Sequence, residues 1–206
     1  ENLVHPALTA HPAPKKALIV GGGGEAAAEA RRHPMLEARE LTAAEAPGAL
    51  GACTARFDFI ALDLGGPLEN PPWPDDVEFL RACRAALAPG GALALPIGPP
   101  VTHPERVGEI AQRLNGLFRL VRPCTLFVPF AGTQCALAVC SDRLDPKSYT
   151  ADEIDRRIAQ RGMHGLRYYN GETHEAVFAL PNYLRELVNP PRVRPQARRQ
   201  RLGLVG

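Results

Sequence analysis

The feature that most constrains this chain is the apolar run Ala17 to Val20, ALIV, followed at once by Gly21, Gly22, Gly23 and Gly24, then Glu25 and the alanine-rich stretch AAAEARRH. A short apolar run with β-branched members suits a buried strand, and the alanine-rich stretch favours helix. Glycines between the two let the backbone turn sharply and approach a ligand closely, and the free amides at a helix start favour an anion or a polar sugar edge. Strand, turn and helix in that order point to an α/β architecture. Alone, the run is equally compatible with a purely structural turn, so the downstream segments must supply the context.

Those segments repeat the rhythm. FDFIALDLG, Phe57 to Gly65, reads as a second buried strand, with Asp63 near its carboxyl end, where parallel-sheet sites lie. VEFLRACRAALAPGG is an amphipathic helix with Phe79, Leu80, Cys83, Ala86 and Leu87 on one stripe and a proline-glycine stop, and ALALPIG follows as a strand. After the helix VGEIAQRLNGLF, the segments LVRPCTLFVPF and TQCALAVCS suit a terminal antiparallel pair. The expected fold is α/β, a class I methyltransferase-like (Rossmann-like), mostly parallel sheet with flanking helices. In the last third, Thr150 and Glu153 form a capping-box pattern, Asn170 and Gly171 mark a turn, Thr173 is expected to cap a helix from His174 to Leu180, and Asn182 opens a closing helix.

With 206 residues, 45% of them hydrophobic and 22% charged, the chain fits one compact domain, expected over 1–189. Residues 190–206 read as an appended basic arm, holding Arg192, Arg194, Arg198, Arg199 and Arg201 without an acid. A net charge of +2 excludes the whole molecule as an electrostatic nucleic-acid binder, although the arm itself suits an RNA contact, the other reading being a solvated terminus. No run of apolar residues is long enough for a membrane span. The opening on Glu1 rather than methionine implies residues upstream, and the compartment, intracellular in the cytoplasm or an organelle, stays open. Five scattered cysteines without a CxxC pair read as reduced core thiols, and six histidines without ligand spacing give no expectation of a metal. Trp73, among Pro71, Pro72 and Pro74, reads as an interaction knob before a substrate lid.

The opening ENLVHPALTAHPAPKKALIVGGGGE resembles the spermidine and thermospermine synthase pattern, in which a Tyr-His-Glu box precedes a helix, a His-Pro, a lysine pair and the glycine turn. FDFIALDLGGPLE is similar to the family's active strand, and LRYYNGETHEAVFALPNYLRELV to its closing motif; the order of the blocks, with TADEIDRRIAQRG, most resembles the thermospermine branch. The resemblance implies aminopropyl transfer from decarboxylated S-adenosylmethionine, the co-substrate, to a polyamine, and a homodimer. It implies Asp63 as the base, Gly21 to Gly24 with Glu25 at the nucleoside, and Glu1 and His174 beside the polyamine. The chain also departs from the pattern. Gly66 stands where the family has a second acid, no tyrosine gate follows Pro67, and the glycine turn is shifted by one residue. Between Pro34 and Arg56 the family has a strand ending in a ribose-binding acid, a helix and another strand, whereas MLEARELTAAEAPGALGACTAR contains no convincing apolar strand, and Glu40 or Glu45 are forced candidates for the ribose. A sheet truncated by about one strand-helix-strand block is therefore expected. The departures favour a catalytically impaired protein kept as a structural or accessory subunit of a larger assembly; the alternatives are an active aminopropyltransferase and an RNA-associated subunit using the arm.

Overall fold

The computed structural model describes residues 1–52, 56–63, 75–129 and 132–189. Helix α1 (His5–Ala10) leads to β1 (Lys16–Gly21), α2 (Glu25–Ala30), β2 (Glu37–Leu41), α3 (Ala46–Gly51) and β3 (Phe57–Asp63). Next come α4 (Val77–Ala86), β4 (Leu87–Gly98), α5 (Pro104–Leu117), β5 (Leu120–Val128) and β6 (Thr133–Ser141). A 3-10 turn (Pro146–Ser148) and helices α6 (Ala151–Gln160), α7 (Gly171–Val177) and α8 (Asn182–Val188) complete the chain described.

The strands form one six-stranded sheet in the order β2-β1-β3-β4-β6-β5. β2, β1, β3 and β4 run parallel, while β6 is antiparallel to both β4 and β5, so the sheet is mostly parallel with an antiparallel end. Successive side chains on a strand point to opposite faces, and the core divides accordingly. Leu18, Val20, Ile60, Leu62, Leu93 and Leu95 face a layer built on α3, α4, α5 and α8. Their neighbours Ala17, Ile19, Phe59, Ala61, Ala92 and Ala94 face α1, α2 and α7. Full burial of side chains such as Phe59, Ile60 and Leu62 contributes about 1.5–3 kcal/mol each, which makes the centre of the sheet the most stable part of the fold.

Three expectations are corrected. The stretch between Pro34 and Arg56 does contain a strand: β2 pairs in parallel with β1 from Lys16↔Glu37 to Val20↔Leu41. It is the sheet edge, mostly exposed, so its sequence EAREL carries no apolar run; backbone pairing holds it, with only Ala38 and Leu41 packed partly against the core. The same stretch also supplies α3, and among the described residues no further strand lies outside β2. Helix α7 starts earlier than expected and ends at Val177: Asn170 is the N-cap, accepting from the Thr173 amide, and the Thr173 hydroxyl answers at the Asn170 amide, a reciprocal capping box. Strand β4 starts at Leu87, through the proline-glycine stop, because Phe57↔Leu87 already pair before a register shift.

Four cysteines sit buried, Cys83 and Cys124 with thiols pushed up to about 12 by burial; Cys53 lies outside the described residues. So do Gly66, Pro67, Trp73 and the arm 190–206. No described helix is long and apolar enough to cross a membrane.

Candidate active site

Parallel pairing of β1 and β3 sets Gly21 directly beside Asp63 at the carboxyl ends of two central strands. The glycine turn follows immediately, with Gly21 at φ 81°, Gly22 at φ 77° and Gly24 at φ 95°, a left-handed series that side chains rarely adopt. A Cβ built on Gly22 would stand 2.3 Å from Asp63 Oδ2, so the carboxylate lies against the bare face of the turn. A Cβ on Gly23 would stand 3.0 Å from Glu25 Oε2, which places the Glu25 carboxylate back over the turn. The residues chosen from the sequence for the base and the nucleoside seat are thereby brought together.

Beside them a cavity of about 330 Å³ opens between Gly21 and Gly22 on one side and Glu40, Leu41, Thr42, Ala43 and Glu45 on the other. Its position, outside the carboxyl ends of parallel strands, is where open α/β sheets receive ligands, and its size lies at the lower end of the range for small-molecule sites. Glu40 stands near the end of β2 and pairs with Arg31 at the C-cap of α2. The Thr42 amide and hydroxyl both donate to Glu45 Oε2, at 2.8 Å each. These bonds, the backbone one first, hold the Glu45 carboxyl below its usual range. Both acids considered for a ribose contact thus line one cavity, on a strand and a helix start that periodicity alone did not reveal. The Thr42-x-x-Glu45 spacing was the available signal, because it is a capping-box pattern.

Glu1 and His174 come together elsewhere, around Tyr169. The Glu1 carboxylate accepts the amides of Arg167, Tyr168 and Tyr169 at 2.8–2.9 Å. Partial burial works to raise its pKa, and the three donors outweigh it and hold it low. His174 is fully buried, with Nδ1 2.8 Å from the Tyr169 hydroxyl and Nε2 2.8 Å from the Pro146 carbonyl oxygen; burial lowers its pKa and keeps it neutral at neutral pH. Both residues therefore spend their polar atoms on the chain itself, staking the C-terminal segment to the N-terminus. Sequence reading missed three residues beside this region, the buried His5 and His33 and the part-buried Glu29 of α2, which form a polar chain joining α1 to α2.

No family model matches the chain. It is 35% identical to the polyamine aminopropyltransferase of Nitrosomonas europaea over 223 aligned residues, covering 93% of this chain and 68% of the relative. The chain belongs to the polyamine aminopropyltransferase family. A second aminopropyltransferase, from Hyperthermus butylicus, is 32% identical over 93% of this chain and 74% of its own. In shape the chain is similar to the spermidine synthase of Thermotoga maritima, with a TM-score of 0.77 over 91% of this chain and 73% of that one at 24% identity, which establishes the common fold. The first alignment is longer than the 206 residues present, so the aminopropyltransferase relative carries residues inside the matched span that this chain lacks.

Proposed function

We propose that the chain is an aminopropyltransferase that moves the aminopropyl group of decarboxylated S-adenosylmethionine onto an amine of a polyamine. The observation that carries the reading is Asp63: a carboxylate at the carboxyl end of a central strand, against the glycine turn of a family member. In the reaction the neutral amine nitrogen attacks the carbon bonded to the sulfonium. The new N–C bond forms as the C–S bond breaks, and the electron pair goes to sulfur, leaving methylthioadenosine. The proton lost by the amine goes to the Asp63 carboxylate. Asp63 must be ionised and the attacking amine unprotonated, which is general-base catalysis at a positioned carboxylate. Gly21 to Gly24 and Glu25 would border the nucleoside, with Glu40 and Glu45 on its far side. Glu1 and His174 would shape the polyamine side by holding the segment around Tyr169. The arm 190–206 and the homodimer of the family pattern remain proposals beside this one.

A second reading, the impaired accessory subunit, rests on Gly66, which leaves one cationic amine of the substrate without a carboxylate. Titration calorimetry with methylthioadenosine, joined to a transfer assay on a panel of diamines and triamines, separates the two. The aminopropyltransferase reading expects binding and turnover, with Asp63→Asn abolishing turnover while binding persists. Absence of both in the wild-type protein would overturn it in favour of the accessory reading.

A further inference from the structure

The glycine turn needs a firm support, and α2 is a weak one. The helix has six residues, no side chain caps its start at Gly24, and its buried face consists of Ala26, Ala27 and Ala30. Helices this short have no stability of their own, and alanine faces bury little area. Polar contacts supply the rest. Glu29, on the last turn of α2, accepts from His5 Nε2 at 2.9 Å; His5 Nδ1 lies 3.1 Å from His33 Nε2; and His33 Nδ1 lies 3.2 Å from Arg161 Nη1.

The chemistry allows one arrangement of protons along this chain. Arginine only donates, so His33 Nδ1 accepts, and a neutral His33 carries its proton on Nε2. His5 Nδ1 must then accept, which puts the His5 proton on Nε2, aimed at a carboxylate that only accepts. His5 and His33 are 0% and 1% exposed. Arg161 also donates to the Leu8 and His11 carbonyl oxygens, and the His5 ring packs 5.3 Å from that of Tyr169. One chain of hydrogen bonds therefore joins α6, α1 and α2.

We infer that His5 and Glu29 are positioning residues for the co-substrate: the one-way chain Arg161–His33–His5–Glu29 fixes α2, and through it the left-handed turn at Gly21–Gly24. The inference deepens the aminopropyltransferase reading and rests on it only for the ligand. Glu29, with its side chain 19% exposed, is the link most safely changed. E29A removes the acceptor, E29Q keeps one, and R32A removes the 2.9 Å Arg32–Glu29 ion pair together with the Arg32 Nη1 bond to the His164 carbonyl oxygen, leaving the His5–Glu29 bond in place.

The test compares amide hydrogen exchange over 21–28, thermal midpoints and calorimetric methylthioadenosine binding in wild type and variants. Expected for E29A is exchange faster by about tenfold over 21–28 and affinity weaker by about tenfold, the scale of one lost hydrogen bond to a charged group, with E29Q and R32A close to wild type. Exchange and affinity unchanged in E29A overturn the inference; so does an R32A effect as large as that of E29A, which would assign the role to Arg32 rather than to the histidine chain. If E29A does not fold, H33N, which opens the chain one link further away, decides by the same two outcomes. If the wild type binds no methylthioadenosine, the aminopropyltransferase reading falls, and the exchange arm still decides whether the chain positions the turn.

Discussion

Asp63 occupies the space that any side chain at Gly22 would need: a Cβ there would come within 2.3 Å of Oδ2 and 2.7 Å of Cγ. The strand-end acid and the turn are thus one unit, and changing either displaces the other.

Gly22→Ala should combine that clash with the cost of holding alanine at φ 77°, whereas Gly24→Ala, at φ 95° with open space around it, should meet the conformational cost alone. We expect Gly24→Ala to lower stability by about 1–2 kcal/mol and Gly22→Ala to lose methylthioadenosine binding as well. Chemical denaturation and calorimetry on both variants check this. Equal binding by the two would count against the coupling of Gly22 to Asp63.

A second glycine pair contrasts packing with freedom. At Gly171 a Cβ would lie 2.1 Å from the Ala151 carbonyl oxygen, where the starts of α6 and α7 touch, while at Gly116, exposed in α5, it would meet nothing within 4 Å. Gly171→Ala is expected to destabilise by about 3 kcal/mol and Gly116→Ala to stabilise by about 0.5 kcal/mol, by overpacking and by helix propensity respectively. Urea unfolding midpoints should move in opposite directions.

Acid should loosen the fold before its carboxylates titrate. His5, His11, His33 and His174 all have pKa values lowered first by burial, His33 to about 3. Unfolded histidine binds its proton near pH 6.5, so below that the unfolded state holds more protons than the folded one. The stability these groups confer is complete above about pH 6.5 and is lost as pH falls below it; for His33 the loss continues toward about pH 3, at up to about 1.4 kcal/mol per pH unit. Thermal midpoints between pH 7.5 and 4.5 should decline, and H33N should decline less steeply; a flat wild-type profile would contradict the buried neutral chain.

Glu1→Ala should release the backbone of 167–169, since three amides lose one acceptor. The expected signature is faster exchange at those amides with the β1–β3 core still protected, measured by mass spectrometry. Loss of protection throughout would mean that Glu1 supports the whole fold.

Much of this was legible in the sequence because burial writes itself as pattern. β1, β3 and the β5–β6 pair are nearly continuous apolar runs, and both Asp63 and the glycines stand where the sheet puts them. β2 was not legible, since an edge strand with water on most of its surface is held mainly by backbone partners and asks for few apolar side chains, here Ala38 and Leu41. The start of α7 was misjudged because Asn170 serves turns and caps equally well. The histidine chain was invisible for a different reason: Glu29 and His33 meet His5, and Arg161 meets His33, only through folding, and no local spacing announces such meetings.

The place of β2 at the outer margin of the sheet also says where this architecture tolerates abbreviation. Trimming a sheet from its rim forfeits one ladder and leaves the remaining strands in register, whereas removing β3 would cut the sheet in two. A lineage shedding residues beyond β2 would keep Asp63 at the centre of an undisturbed scaffold, and the first property to erode would be the snugness with which the far end of a ligand is enclosed.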